Sequence, residues 1–171
     1  MLLAIWGCGK SAPNFSKKPN AKPVVDRGIN FSAGHILRRD EADKLRKLWG
    51  VSWTSAQLEF TDEKRFAGDM NKVVGELFEK DERASQFSAD TAHANKEDNR
   101  LILEGSVKIT SENPALTLYC SKMVWDGSAG LIEASGDVTF ESESARLGTF
   151  EKVMATPDLK QIATPDMFKK P

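Results

Sequence analysis

Few residues in this chain have both the type and the spacing for bond-making chemistry. His35 and His93 are the two histidines of the 171 residues. They stand in different segments with no companion at ligand spacing, so neither a zinc site nor a histidine-based triad is signalled. Asp81/Glu82 and Glu97/Asp98 are paired carboxylates, the group type used by glycosidases, but both pairs fall in turn-forming runs where carboxylates serve solubility and turn geometry. Serines are abundant, yet none sits in a Gly-x-Ser-x-Gly elbow. Gly9-Lys10-Ser11 imitates the end of a phosphate-binding loop, but Ala4 occupies the place of the required first glycine and Pro13 interrupts the helix that should follow. The sequence therefore predicts a protein that is not an enzyme and needs no cofactor or metal.

What remains is apolar surface, arranged with a period of two. Leu101, Leu103, Val107 and Ile109 share one parity, while Glu104, Ser106, Lys108 and Thr110 take the other. Thirty-one positions on, Ile132, Ala134, Val138 and Phe140 alternate against Glu133, Ser135, Asp137 and Thr139. Both copies carry the same Gly-x-Val step, Gly105-Ser106-Val107 and Gly136-Asp137-Val138, where a missing side chain permits a bend or a close approach. Leu118 and Leu147 extend the pattern. The inward set is thus Leu101, Leu103, Val107, Ile109, Leu118, Ile132, Val138, Phe140 and Leu147: an apolar wall suited to acyl chains, and equally to the core of any β-sandwich.

These strands need a frame, and turn clusters supply it. Thr61-Asp62-Glu63-Lys64, Glu79-Lys80-Asp81-Glu82, Lys96-Glu97-Asp98-Asn99, Ser111-Glu112-Asn113-Pro114 and Asp126-Gly127-Ser128-Ala129-Gly130 recur at hairpin intervals. Between and beyond them run strand patterns from Val51 to Ala163, the last at Leu159–Ala163. The pattern predicts an all-β antiparallel domain over residues 51–165, one domain long enough to bury its own core. Arg39–Leu48 has good helix formers, with Leu45, Leu48 and Trp49 on one side and a stop at Gly50, which predicts a short helix over 39–50. Trp49, Trp53 and Trp125 read as packing residues.

The N-terminus reads as an address. Residues 1–8 end in Ile5-Trp6-Gly7-Cys8, like the tail of a truncated secretion signal at a lipoprotein cleavage site, with Cys8 as a lipid anchor; a basic start is lacking. Residues 9–38, with Pro13, Pro19, Pro23 and several lysines, read as a tether. The first fifty residues carry ten Lys and Arg against four Asp and Glu, while the rest is acidic. That basic end suits an anionic surface or is a solvated linker. Without a compact basic stripe interleaved with aromatics, nucleic acid is excluded as a partner. Cys120 lies on the parity of Leu116 and Leu118 and reads as a buried free thiol rather than a disulfide partner of Cys8.

The ordered series Phe87-Ser88-Ala89-Asp90-Thr91-Ala92, Leu101–Val107, Leu116-Thr117-Leu118 with Trp125, and Ile132–Val138, followed by Ala155-Thr156-Pro157-Asp158-Leu159 and Ala163-Thr164-Pro165, resembles the LptC/LptA (OstA-like) lipopolysaccharide-transport family over about residues 73–164. The resemblance implies an open, twisted antiparallel β-jellyroll enclosing an apolar groove. It further implies lipopolysaccharide as cargo, an ABC-transporter membrane complex as its source, and an LptA-like bridge protein as the next station through sheet-edge pairing. The tether and Cys8 favour the LptC-like member, in the periplasm and anchored at the inner membrane by the N-terminus. Two rival readings use the same pattern: a structural β-repeat protein, which would continue the repeat over several aligned rungs, and a carbohydrate-binding jellyroll, for which Tyr119 and Trp125 would form an aromatic platform.

Overall fold

The computed structural model describes residues 28–62, 65–95 and 98–168. The strands are β1 (Gly28–Phe31), β2 (Gly34–Arg39), β3 (Lys47–Trp53), β4 (Ser55–Asp62), β5 (Arg65–Glu79), β6 (Glu82–Asn95), β7 (Arg100–Glu112), β8 (Ala115–Asp126), β9 (Leu131–Glu141), β10 (Arg146–Ala155) and β11 (Ile162–Ala163). All pair antiparallel in one open sheet, in the order β1-β4-β5-β6-β7-β8-β9-β10-β11, with β2 on β3 and β3 on β5. The all-β antiparallel class expected from the alternating pattern is the one observed, and the open jellyroll-like form is the one that the resemblance implies.

Register simplifies this order. Ser52 pairs with Val74 and Ser55 with Asn71, so β3 and β4 form one long strand along β5, interrupted only at Trp53-Thr54. Phe31 pairs with Ala56 and Gly34 with Trp53, so β1 and β2 likewise form one strand with a break at Ser32-Ala33. The described sheet is therefore a meander of eight long strands, closed by the short β11.

Every long strand is bent at the same level. On most of them the inward parity jumps by three residues instead of two: Ala89 to Ala92 on β6, Met70 to Val73 on β5, Cys120 to Met123 on β8. On β7 and β9 it jumps by four, from Leu103 to Val107 and from Ala134 to Val138, because an extra residue bulges out there. The bulges are the Gly-x steps of the repeat. Gly105 and Ser106 have φ of 73° and 47°, Gly136 and Asp137 have 79° and 52°, and Lys72 on β5 has 50°. Left-handed backbone costs a residue with a β-carbon, which explains glycine at the first position of both steps.

This line of bulges creases the sheet and folds its two halves over one another. A flat sheet would leave its apolar face wet; here Met70, Leu77, Leu101, Leu103, Ile109, Leu118, Met123 and Ile132 belong to one buried cluster. One leaf contains β1, β4, the first half of β5 and the last part of β10 with β11; the other contains β2, β3 and the first part of β10.

Three expectations are corrected. Residues 39–50 form no helix: Arg39 ends β2, Lys47 begins β3, and a turn joins them in a hairpin. Asp40 Oδ1 accepts hydrogen bonds from the backbone N–H groups of Ala42 and Asp43, and the N–H of Asp40 donates to the carbonyl of Arg46. Further on, the Leu45 N–H donates to Asp43 Oδ1 and the Lys47 N–H to Asp81 Oδ1, donors that a helix would have used within itself. Trp49, Val51 and Trp53 then alternate into the core, whereas Leu45, which a helix would have placed beside Leu48 and Trp49, is 80 % exposed. The tether also ends earlier than residue 38, since strand begins at Gly28; the signal-like segment, Cys8 and the rest of the tether lie outside the described residues. The strand expected over Leu159–Ala163 shrinks to Ile162–Ala163, with Leu159 in a turn.

Candidate functional site: an apolar interior between two leaves

Eight of the nine residues expected to point inward do so together. Leu101, Leu103, Val107, Ile109, Leu118, Ile132, Val138 and Phe140 are each at most 8 % exposed and belong to the same cluster. Leu147 does not join them and is 63 % exposed, which corrects its place in the buried set. Its parity is nonetheless inward: it pairs with Phe140 across β9–β10. The reason for its exposure is position, on an edge strand at a level where β10 has no outer partner among the described residues.

Leu147 has company at that edge. Phe150, opposite Val138, is 37 % exposed, and its ring lies 5.8 Å from that of Phe140, tilted by 55°. At the other end of the sheet Ile29 and Phe31 pair with Leu58 and Ala56 on the inner face, and remain about half exposed. Each open edge of the described sheet thus combines an unpaired strand with uncovered inner-face apolar side chains. Among the described residues β10 is paired on its outer side only at Met154 and Ala155, by β11.

Sequence reasoning missed Met70, Phe87 and Met123, all buried in the same interior, which also takes in Trp125 as its reading as a packing residue expects. The alternation restarts out of phase after the crease on β6 and β8, so a single parity extrapolated along those strands points the wrong way. Two polar residues also enter this interior. Ser85 and Ser111 are buried on β6 and β7, one step beyond the Gln86–Thr110 pair, and neither hydroxyl has a hydrogen-bond partner.

The outer face is charged and internally paired. Lys72 Nζ lies 2.7 Å from Asp90, Lys122 Nζ 2.7 Å from Glu104, and Lys152 Nζ 2.8 Å from Glu133. The Lys72 ammonium, aided by the Ser106 hydroxyl, holds the Asp90 carboxyl below the usual carboxylate range. Trp125 is buried and so forms no outer platform with Tyr119, which instead receives Lys108 over its ring at 5.9 Å. A depression of about 470 Å³ on this side is lined by His35, Ser52, Val74, Glu76 and Lys108, and His35 Nδ1 lies 3.0 Å from Ser52 Oγ. His93 Nδ1 lies 2.8 Å from Asp69 Oδ1, in a shallow depression lined also by Met70, Thr91, Ile102 and Glu104.

Cys120 is a free, buried thiol, and desolvation pushes its pKa up to about 12. Among the described residues no group of three or more His, Cys, Asp and Glu is arranged to hold a metal ion. Among them, too, no helix is long and apolar enough to cross a membrane. No family model matches the chain, and no curated protein is significantly similar to it.

Proposed function

We propose that this chain is a non-catalytic carrier of lipopolysaccharide in the periplasm, held at the inner membrane by its N-terminus. In this reading it receives the glycolipid from an ATP-driven ABC-transporter complex and passes it to an LptA-like bridge protein paired with its sheet edge. The observation that carries the reading is the continuity of the inner apolar face, from the buried rows at Leu103 and Ile109 out to the uncovered Leu147 and Phe150 at an unpaired edge. Each acyl methylene exposed to water costs about 0.8 kcal/mol, so a wall of this kind lowers the barrier to transfer without catalysis or cofactor. Sugars and phosphates would remain outside, in water. A strand supplied by the next protein would satisfy the free β10 backbone and cover the apolar edge in one step.

Because the inner rows are closed, acyl chains enter by parting the leaves or by sliding in from the β10 edge. That decides the test. A charge at Leu103 or Val138, both fully buried, would unfold the sheet and make lost binding uninformative. Photoreactive probes are the better tool, placed at Leu103, Ile109, Phe140 and Leu147, with outward Lys108 as control, and crosslinked to lipopolysaccharide in cells. Crosslinks confined to the inward set are expected. Their absence in a stable, exported protein would leave a structural β-protein as the better reading.

A further inference from the structure

After β10 the chain makes a compact turn over residues 156–161. The Thr156 N–H donates to the Gln161 carbonyl at 3.0 Å, the Leu159 N–H donates to the Thr156 carbonyl at 2.9 Å, and the Gln161 N–H donates to Thr156 Oγ1 at 3.2 Å. Asp158 ties the tip together, accepting from Thr156 Oγ1 at 2.7 Å and from the Lys160 N–H at 3.1 Å, with Lys160 Nζ 2.9 Å from its other oxygen. All of these bonds are internal to the turn.

Three residues hold the turn to the rest of the molecule, the first being Pro157, which is buried. Leu159 is 2 % exposed and sits in the apolar cluster, although its φ of 56° is a left-handed conformation that leucine rarely adopts. Lys160 faces the β5–β6 end of the opposite leaf, where Glu79 and Glu82 add to Asp158 in favouring its charged form. Between turn and leaf lies a cavity of about 280 Å³, lined by Glu79, Glu82, Arg83 and Ser85 on one side and Asp158 and Lys160 on the other. The unpartnered Ser85 hydroxyl, 3 % exposed, lies on its wall.

We propose that the turn 156–161 is a displaceable plug, in which Leu159 occupies the place that the end of an acyl chain takes when the interior is loaded. The inference rests on the lipid-carrier reading. The turn can leave as a unit, since its own hydrogen bonds travel with it. What it gives up is the burial of Pro157 and of one strained leucine, and exposed charge attraction at Lys160. An arriving acyl chain replaces the buried leucine.

The test is stopped-flow loading of the full chain with a fluorescent long-chain fatty acid, and separately with lipopolysaccharide. Lys160→Glu, which sets a carboxylate against Glu79 and Glu82, is expected to speed loading roughly three- to tenfold. Adding Glu82→Lys to it should restore the original rate. Leu159→Ala should accelerate loading in the same direction, and Lys152→Glu, on the outer face, should not. Equal rates in the unaltered protein, Lys160→Glu and Leu159→Ala would overturn the plug and leave the carrier reading standing. Uptake by none of the folded proteins would overturn both.

Discussion

Asp90 and Gly105 face each other across β6 and β7 so closely that a β-carbon on residue 105 would fall 2.7 Å from the Asp90 carboxylate. Gly105 also has a φ of 73°. The crease therefore depends on glycine here twice over, for conformation and for room. Gly105→Ala is expected to cost about 2–3 kcal/mol of stability, measured by urea unfolding, the sum of left-handed backbone strain and displacement of Asp90. Gly130 tests the separation of these causes: it has a φ of 67° but nothing within 4 Å of its missing β-carbon. Gly130→Ala should cost only about 1 kcal/mol. Equal losses at the two sites would mean that the close approach of Asp90 is irrelevant.

Asp90 also predicts a pH dependence. Its carboxyl is held below the ordinary value of 3.8, first by the Lys72 hydrogen bond and then by that from Ser106. A depressed folded-state pKa contributes stability that is present above the unfolded value and lost as pH falls through the folded one. Stability should therefore decline below about pH 4, and Asp90→Asn should make that acid limb shallower. Titrating the unfolding midpoint of both proteins between neutral pH and pH 2 would show it; parallel curves would exclude Asp90 as a contributor.

The same leucine side chain has opposite weight at two places on the inner face. Leu118 is fully buried, so Leu118→Ala is expected to cost about 2–5 kcal/mol, as large-to-small core substitutions do. Leu147→Ala, at the uncovered edge, should cost less than about 0.5 kcal/mol while weakening crosslinking to lipid or to an edge partner. A large stability loss at Leu147 would show that the edge is covered in solution by another part of the chain.

Cys120 should be chemically silent in the folded protein. With its pKa raised to about 12 by burial, the reactive thiolate is nearly absent at pH 8. Alkylation followed by peptide mapping is expected to find Cys120 unmodified until denaturant unfolds the sheet. Rapid labelling under native conditions would place the thiol at a surface.

The sequence made the sheet legible because β7 and β9 alternate without a break in parity. Leu101 through Ile109, and Ile132 through Phe140, keep their phase because the Gly-x steps insert one extra residue at the crease. On β6 and β8 no such residue is inserted, and the same rule does not find Ala92 and Met123. The helix expected over 39–50 failed for a different reason: helix propensity is a local property, and burial of Trp49, Val51 and Trp53 against β5 is not. Leu147 was right in parity and wrong in burial, because a strand's face can be read from its own residues but its neighbours' extent cannot.

The meander has one more consequence. Each long strand pairs with the one just before it in the chain, so no described pairing waits for a distant segment to arrive. Contacts between sequence neighbours carry a small loop-closure cost, and topologies built from them fold quickly for β-proteins. The sheet can lengthen hairpin by hairpin as the polypeptide is delivered from its N-terminal end. Among the described residues the turn at 156–161 then settles late, sealing an interior that the earlier strands have already built.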